Sequence, residues 1–123
     1  QGDLIVHNEI KNRGICTAWV NFGGTTNPPT IRDSYNVADV VDLGTGYFRV
    51  VFEVPMDNEA YSVGLTVDGA PSSTFLRGGG YIPNTGTTLR FDISTSQVNA
   101  ATNNTLTDYF NNCIQVFGGK DIL

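Results

Sequence analysis

Two stretches decide the fold: Tyr47-Phe48-Arg49-Val50-Val51-Phe52-Glu53-Val54 and Tyr61-Ser62-Val63-Gly64-Leu65-Thr66-Val67-Asp68. In the first, Phe48, Val50, Phe52 and Val54 alternate with Tyr47, Arg49, Val51 and Glu53; in the second, Tyr61, Val63, Leu65 and Val67 alternate with Ser62, Gly64, Thr66 and Asp68. Successive side chains of a strand point to opposite faces, so this period of two sets one apolar face on a core and one polar face in solvent, as in antiparallel sheets. A third run has the same period, with Leu89, Phe91 and Ile93 among Thr88, Arg90, Asp92 and Ser94. Outward from these, less regular strand candidates cover residues 4–10, 15–22, 30–37, 74–82 and 112–117.

Turn chemistry separates the runs. Gly23-Gly24, Pro28-Pro29, Asp42-Leu43-Gly44, Pro55-Met56-Asp57-Asn58, Asp68-Gly69 and Asn84-Thr85-Gly86 combine residues that suit tight turns. Residues 39–42 are expected to form one short turn. The glycines of Arg77-Gly78-Gly79-Gly80-Tyr81 are expected to interrupt their strand with a bulge or exposed loop. The polar stretch 99–104 reads as another loop. No window of a dozen residues carries apolar spacing of three and four. Roughly seven or eight short strands at intervals of about ten residues predict one all-β domain over residues 1–123, an antiparallel β-sandwich of jelly-roll-like form.

Composition narrows the function. Hydrophobic residues at 40% mark a globular chain, while charged residues at 15% leave a surface dominated by Thr, Asn, Ser and Gly. A net charge of −5, with seven Lys and Arg scattered along the chain, argues against a nucleic-acid partner, which needs clustered cations. No apolar run approaches the roughly 20 residues of a membrane-spanning helix, so no membrane insertion is expected. No basic start followed by an apolar stretch marks a signal peptide. The chain opens at Gln1, which reads as the start of a fragment or a processed product.

Catalytic machinery is not apparent, and the chain reads as a non-enzyme. The single histidine, His7, has no nucleophile in a recognisable setting, and no Gly-x-Ser-x-Gly elbow exists. Asp33, Glu53, Asp57, Glu59 and Asp92 are the carboxylates from which a glycosidase pair would have to come, but acidic residues in turns are usually solvated or capping. Asp39 with Asp42, or Asp57-Asn58-Glu59, offers oxygens of the kind calcium takes, yet the EF-hand pattern is missing; no metal and no cofactor are expected. Cys16 and Cys113 lack the close spacing of a zinc site. They read either as a disulfide closing a very long loop or as two buried thiols in strands. What remains is binding. Aromatic, amide and guanidinium side chains in or beside the predicted loops are the candidate receptor contacts: Arg77, Tyr81, Asn84, Asn103, Asn104 and Tyr109.

Five segments, in order, are similar to those of one known family. Cys16-Thr17-Ala18-Trp19-Val20-Asn21-Phe22-Gly23-Gly24 is similar to a strand that leads into a Gly- and Thr-rich turn. Ile31-Arg32-Asp33-Ser34-Tyr35-Asn36-Val37 is similar to an Ile-Arg-x-Ser-Phe/Tyr-Asn-Val segment, and Asp42-Leu43-Gly44-Thr45-Gly46-Tyr47-Phe48-Arg49-Val50-Val51-Phe52 to a Gly-rich hairpin. Pro55-Met56 and Ala60-Tyr61-Ser62-Val63 follow, with proline and methionine in swapped order, and Asn112-Cys113-Ile114-Gln115-Val116-Phe117-Gly118 is similar to the closing strand. Cys16 stands next to Thr17 where that family often has a basic residue, and residues 68–108 diverge. Together these segments resemble the C-terminal domain of phage tail-fibre receptor-binding proteins, and the resemblance implies a homotrimeric virion domain at the fibre tip, exposed outside the cell and made in the host cytoplasm. Residues 1–14 would be the connection to the shaft. Its partner would be a host cell-surface glycan or an outer-membrane protein. A reducing cytoplasm favours thiols over a disulfide. Two other readings stand beside it: a capping or trimerisation domain without receptor contact, and a polysaccharide depolymerase fragment.

Overall fold

A computed structural model describes residues 14–68, 76–98 and 105–121. The strand expected at 4–10 and the loop expected at 99–104 lie outside them. Nine strands follow in chain order: β1 (Cys16–Gly23), β2 (Thr30–Tyr35), β3 (Val37–Gly44), β4 (Tyr47–Phe52), β5 (Tyr61–Asp68), β6 (Leu76–Tyr81), β7 (Arg90–Val98), β8 (Thr105–Leu106) and β9 (Asn111–Gly118). No helix occurs among the described residues. One sheet has the order β2-β1-β9-β5; the other has β3-β4-β7-β6, with β8 added alongside β7. Every pairing is antiparallel. The all-β, two-sheet expectation holds.

The core lies between the sheets, built from the alternating positions. Ala18, Val20 and Phe22 of β1 and Ile114 and Val116 of β9 meet Phe48, Val50 and Phe52 of β4 and Phe91 and Ile93 of β7, all buried. The Phe22 and Phe48 rings touch edge-on with centroids 5.2 Å apart, and Phe52 meets Tyr61 in the same way at 5.5 Å. Such pairs add about 0.5–1.5 kcal/mol beyond the area they bury.

Two local expectations are corrected. Residues 39–42 lie within strand β3, whose inner residues Val37 and Val40 are buried opposite Phe52 and Val50. Asp39 and Asp42 concealed that strand: each accepts a bond from a nearby main-chain N–H, of Val40 at 2.8 Å and of Gly44 at 2.9 Å. Residues 77–81 form no loop either; β6 pairs with β7 in unbroken register from Leu76↔Val98 to Tyr81↔Ile93. The reason is close packing. A Cβ on Gly79 would run into the Ser94 carbonyl and a Leu65 methyl, where β6 meets β5 of the other sheet. Gly78 and Gly80 face open space.

Between β2 and β3 the chain changes sheets at one residue. Asn36 has φ of 53°, a left-handed conformation that costs an ordinary residue about 1 kcal/mol. Its side chain closes the corner, accepting from Val54 N at 2.7 Å and donating to Val54 O at 3.2 Å. Asn36→Ala is therefore expected to destabilise the domain by about 2–3 kcal/mol, the sum of lost bonds and added strain, read from the urea midpoint. Asn36→Gly, which keeps the backbone conformation, should cost less; equal losses would show that strain at this corner is immaterial.

Candidate functional site

The register divides the connections between two ends of the sandwich. At the hairpin end lie the β1–β2 connection (24–29), the β3–β4 turn, the start of β6 and the segment between β8 and β9. These are tied together: Gly24 N donates to Tyr109 O at 2.8 Å, Gly46 N to Asp108 Oδ1 at 2.7 Å, and Asn112 Nδ2 to Phe22 O and Tyr109 O. At the opposite end lie the start of β1, the Asn36 corner, the β4–β5 connection, the β6–β7 connection and residues 119–121. Asp57 N bonds Gly119 O at 2.7 Å and Met56 N bonds Thr88 O at 2.7 Å.

This topology separates the residues singled out from sequence. Arg77 is the second residue of β6, opposite Gln97, at the hairpin end. Asn103 and Asn104 lie outside the described residues. Tyr81 and Asn84 are at the other end. The Tyr81 ring packs against Phe91, and its hydroxyl accepts from Gly86 N at 3.0 Å; Asn84, with φ of 65°, shapes the turn closed by Thr85 N to Ile82 O. Tyr109 is corrected: it has no exposed surface, and its hydroxyl donates to Ser96 O at 2.5 Å, so it packs rather than contacts. The exposed aromatic is its neighbour Phe110, 56% accessible. Consecutive residues of an extended segment point opposite ways, so Tyr109 turned inward puts Phe110 outside.

Phe110 is part of an arranged surface. The Arg32 guanidinium lies over its ring, 4.5 Å from the centroid, and donates to Phe110 O at 2.6 Å and to Asn21 Oδ1 at 3.0 Å. Gly23 lets the guanidinium in close, since a Cβ there would come within 3.1 Å of it. Beside this platform runs the exposed segment Thr25-Thr26-Asn27-Pro28, held by Thr26 Oγ1 to Pro28 O and to Thr30 Oγ1. An aromatic edge, a planar cation and small polar groups are the elements with which sugars and peptide side chains are bound.

The opposite end has a cleft of about 400 Å³, partly open. Cys16, Thr17, Tyr35 and Val54 form its walls, and Glu53, Asp57, Lys120 and Asp121 its rim. Three of these charged groups are engaged locally: Lys120 Nζ donates to Pro55 O at 3.0 Å, Asp57 Oδ2 accepts from Asp121 N, and Asp121 Oδ1 accepts from Asn58 Nδ2. Among the described residues no three His, Cys, Asp or Glu side chains gather to hold a metal ion. The cysteines are free thiols, both half-exposed rather than buried. Cys16 is opposite Phe117 and Cys113 opposite Asn21, a separation of roughly 13 Å along β9, far beyond disulfide reach.

Beside the cleft, burial and, secondarily, Tyr81 and Glu59 push the Tyr61 hydroxyl from 10.0 up to about 12. It donates to Thr87 O at 2.8 Å. A raised folded value means that the fold favours neutral tyrosine, so this stabilisation is complete below pH 10 and is lost as pH climbs toward 12. Base titration followed by tyrosinate absorbance should show a step near pH 12 that Tyr61→Phe removes. A late step that persists unchanged in Tyr61→Phe would contradict the assignment.

Together the described residues define a two-sheet antiparallel β domain with an aromatic–guanidinium surface at one end and a cleft at the other. No family model, curated protein or solved structure matches this chain.

Proposed function

We propose that the chain is a non-catalytic attachment domain, the tip of a phage tail fibre, trimeric and jelly-roll-like, that contacts a glycan or protein on the host surface. One observation carries this reading. The segments that resemble tail-fibre proteins supply β1, β2, β4, β9 and the start of β5, whereas β6, β7 and β8 fall within the divergent residues 68–108. A matched scaffold beside a divergent segment suits a receptor-binding tip. The jelly-roll form is supported by the nested pairing of β1 with β9 in one sheet and of β4 with β7 in the other.

Strand β1 starts at the cleft end. With residues 1–14 as the connection to a shaft, that end faces the fibre and the hairpin end faces the host. Phe110, Arg32 and Asn27 then form the contact surface, with β6 starting at the same end. The test is solution mass by light scattering over a range of concentrations. A trimer of about 40 kDa, three times the 13.3 kDa chain, is expected; a 13.3 kDa species at every concentration would count against the fibre reading.

A further inference from the structure

We infer that the outward face of the β2-β1-β9-β5 sheet is the seam between copies of this chain; the inference rests on the trimeric reading above and names its surface. Residues directly opposite in antiparallel strands share a face. Tyr35 is opposite Trp19, Trp19 opposite Gln115, and Gln115 opposite Gly64. One row toward the hairpin end runs Asn21, Cys113 and Thr66; one row toward the cleft end, Phe117 is opposite Ser62. Tyr35 is 57% exposed and Phe117 43%.

Composition marks this face. Its outward positions on the two central strands carry no charge, and the charged side chains Arg32, Asp33 and Asp68 stand on the edge strands β2 and β5. Aromatic enrichment with charge depletion at the centre and charge at the rim is the signature of an interface core. The other sheet differs: its outward face has the Arg49–Asp92 ion pair at 2.8 Å, with Asp39 and Arg90 on either side of Val51. Hydrogen bonding to Asp92 raises the Arg49 pKa further above its usual value, so that charge stays.

Size and shape agree. Four strands about 4.8 Å apart and roughly eight residues long span about 500 Å² per copy, so three such faces around a threefold axis withdraw about 1,500 Å² from water, within the size range of specific interfaces. Gly64 leaves a notch beside Gln115, since a Cβ there would meet nothing closer than 3.9 Å. A neighbour's aromatic side chain fits such a notch. A second copy suits the face better than a sugar chain, because Gln115 is the one amide among the aromatics of the central row while the rest of that row is ring and glycine.

The test uses the whole chain and three charge substitutions. Gly64→Arg and Phe117→Arg put a cation on the face without entering the core; Val41→Arg does the same on the other sheet. The first two should shift the assembly to single-chain mass, weakening association by at least about tenfold with the melting curve still cooperative, and the third should leave the mass unchanged. The chain has one tryptophan, so emission reports Trp19 alone; dilution below the assembly threshold should red-shift it as the face becomes wet. An assembly that persists in Gly64→Arg and Phe117→Arg but dissociates in Val41→Arg would overturn the seam while leaving the trimer intact. A blue shift of Trp19 on adding an oligosaccharide, without change of mass, would make the face a glycan site instead. A wild-type chain that never assembles would overturn the trimeric reading itself.

Discussion

Replacing Gly79 with valine is expected to destabilise the domain by at least about 3 kcal/mol or prevent folding, while Gly78→Val and Gly80→Val stay within about 0.5 kcal/mol of wild type. The three glycines are consecutive in one strand, so propensity treats them alike; only their surroundings differ. At Gly79 a side chain meets the Ser94 carbonyl of the paired strand β7 and a Leu65 methyl; the methyl can turn aside, but the carbonyl yields only if the β6–β7 pairing shifts. At Gly78 and Gly80 nothing lies within 4 Å, and a β-branched residue in a strand gains a few tenths of a kcal/mol in propensity. Urea unfolding at one fixed protein concentration reads the difference. Equal losses at all three positions would show that flexibility, not packing, selects glycine here.

The second large effect is expected at the centre of the core. Phe48→Ala should cost about 3–5 kcal/mol, because the ring is fully buried and its removal leaves a cavity that two sheets cannot close. Its edge contact with Phe22 at 5.2 Å predicts that the double mutant with Phe22→Ala loses about 0.5–1.5 kcal/mol less than the two single losses added. Gly24 belongs to the same unit, as a Cβ there would come within 2.8 Å of the Phe48 ring. Strict additivity would mean that the rings pack independently. Losses of this size matter in a chain of 123 residues, whose stability rests on a small core.

How far the sequence carried the fold follows from these residues. Period-two alternation over 47–54 and 61–68 is legible because one face of β4 is buried and one face of β5 is half-buried against the core, and the observed strands fall there. Strand β3 was hidden by Asp39 and Asp42, whose local backbone bonds imitate turn chemistry. The glycines of β6 read as a break because what selects Gly79, the approach of the Ser94 carbonyl from β7 and of Leu65 from the other sheet, is a tertiary fact with no local trace. Among the candidate contacts, Tyr109 and Phe110 were open to a parity argument, since only one of two consecutive aromatics can face the core. The Arg32–Phe110 platform was not legible, because its members are 78 residues apart in sequence. Nor was the split that puts Tyr81 and Asn84 at one end and Arg77 at the other, which follows from the pairing of β6 with β7.

The most direct test of the attachment role is saturable binding of the labelled domain to bacterial cells, measured by flow cytometry across a panel of strains with wild-type protein and with Phe110→Ala. The account predicts binding to a subset of strains, weakened at least about tenfold in Phe110→Ala with no loss of cooperative melting, as expected when an exposed aromatic anchor is removed. Wild-type protein that binds no strain, or Phe110→Ala that binds as well as wild type, would contradict it.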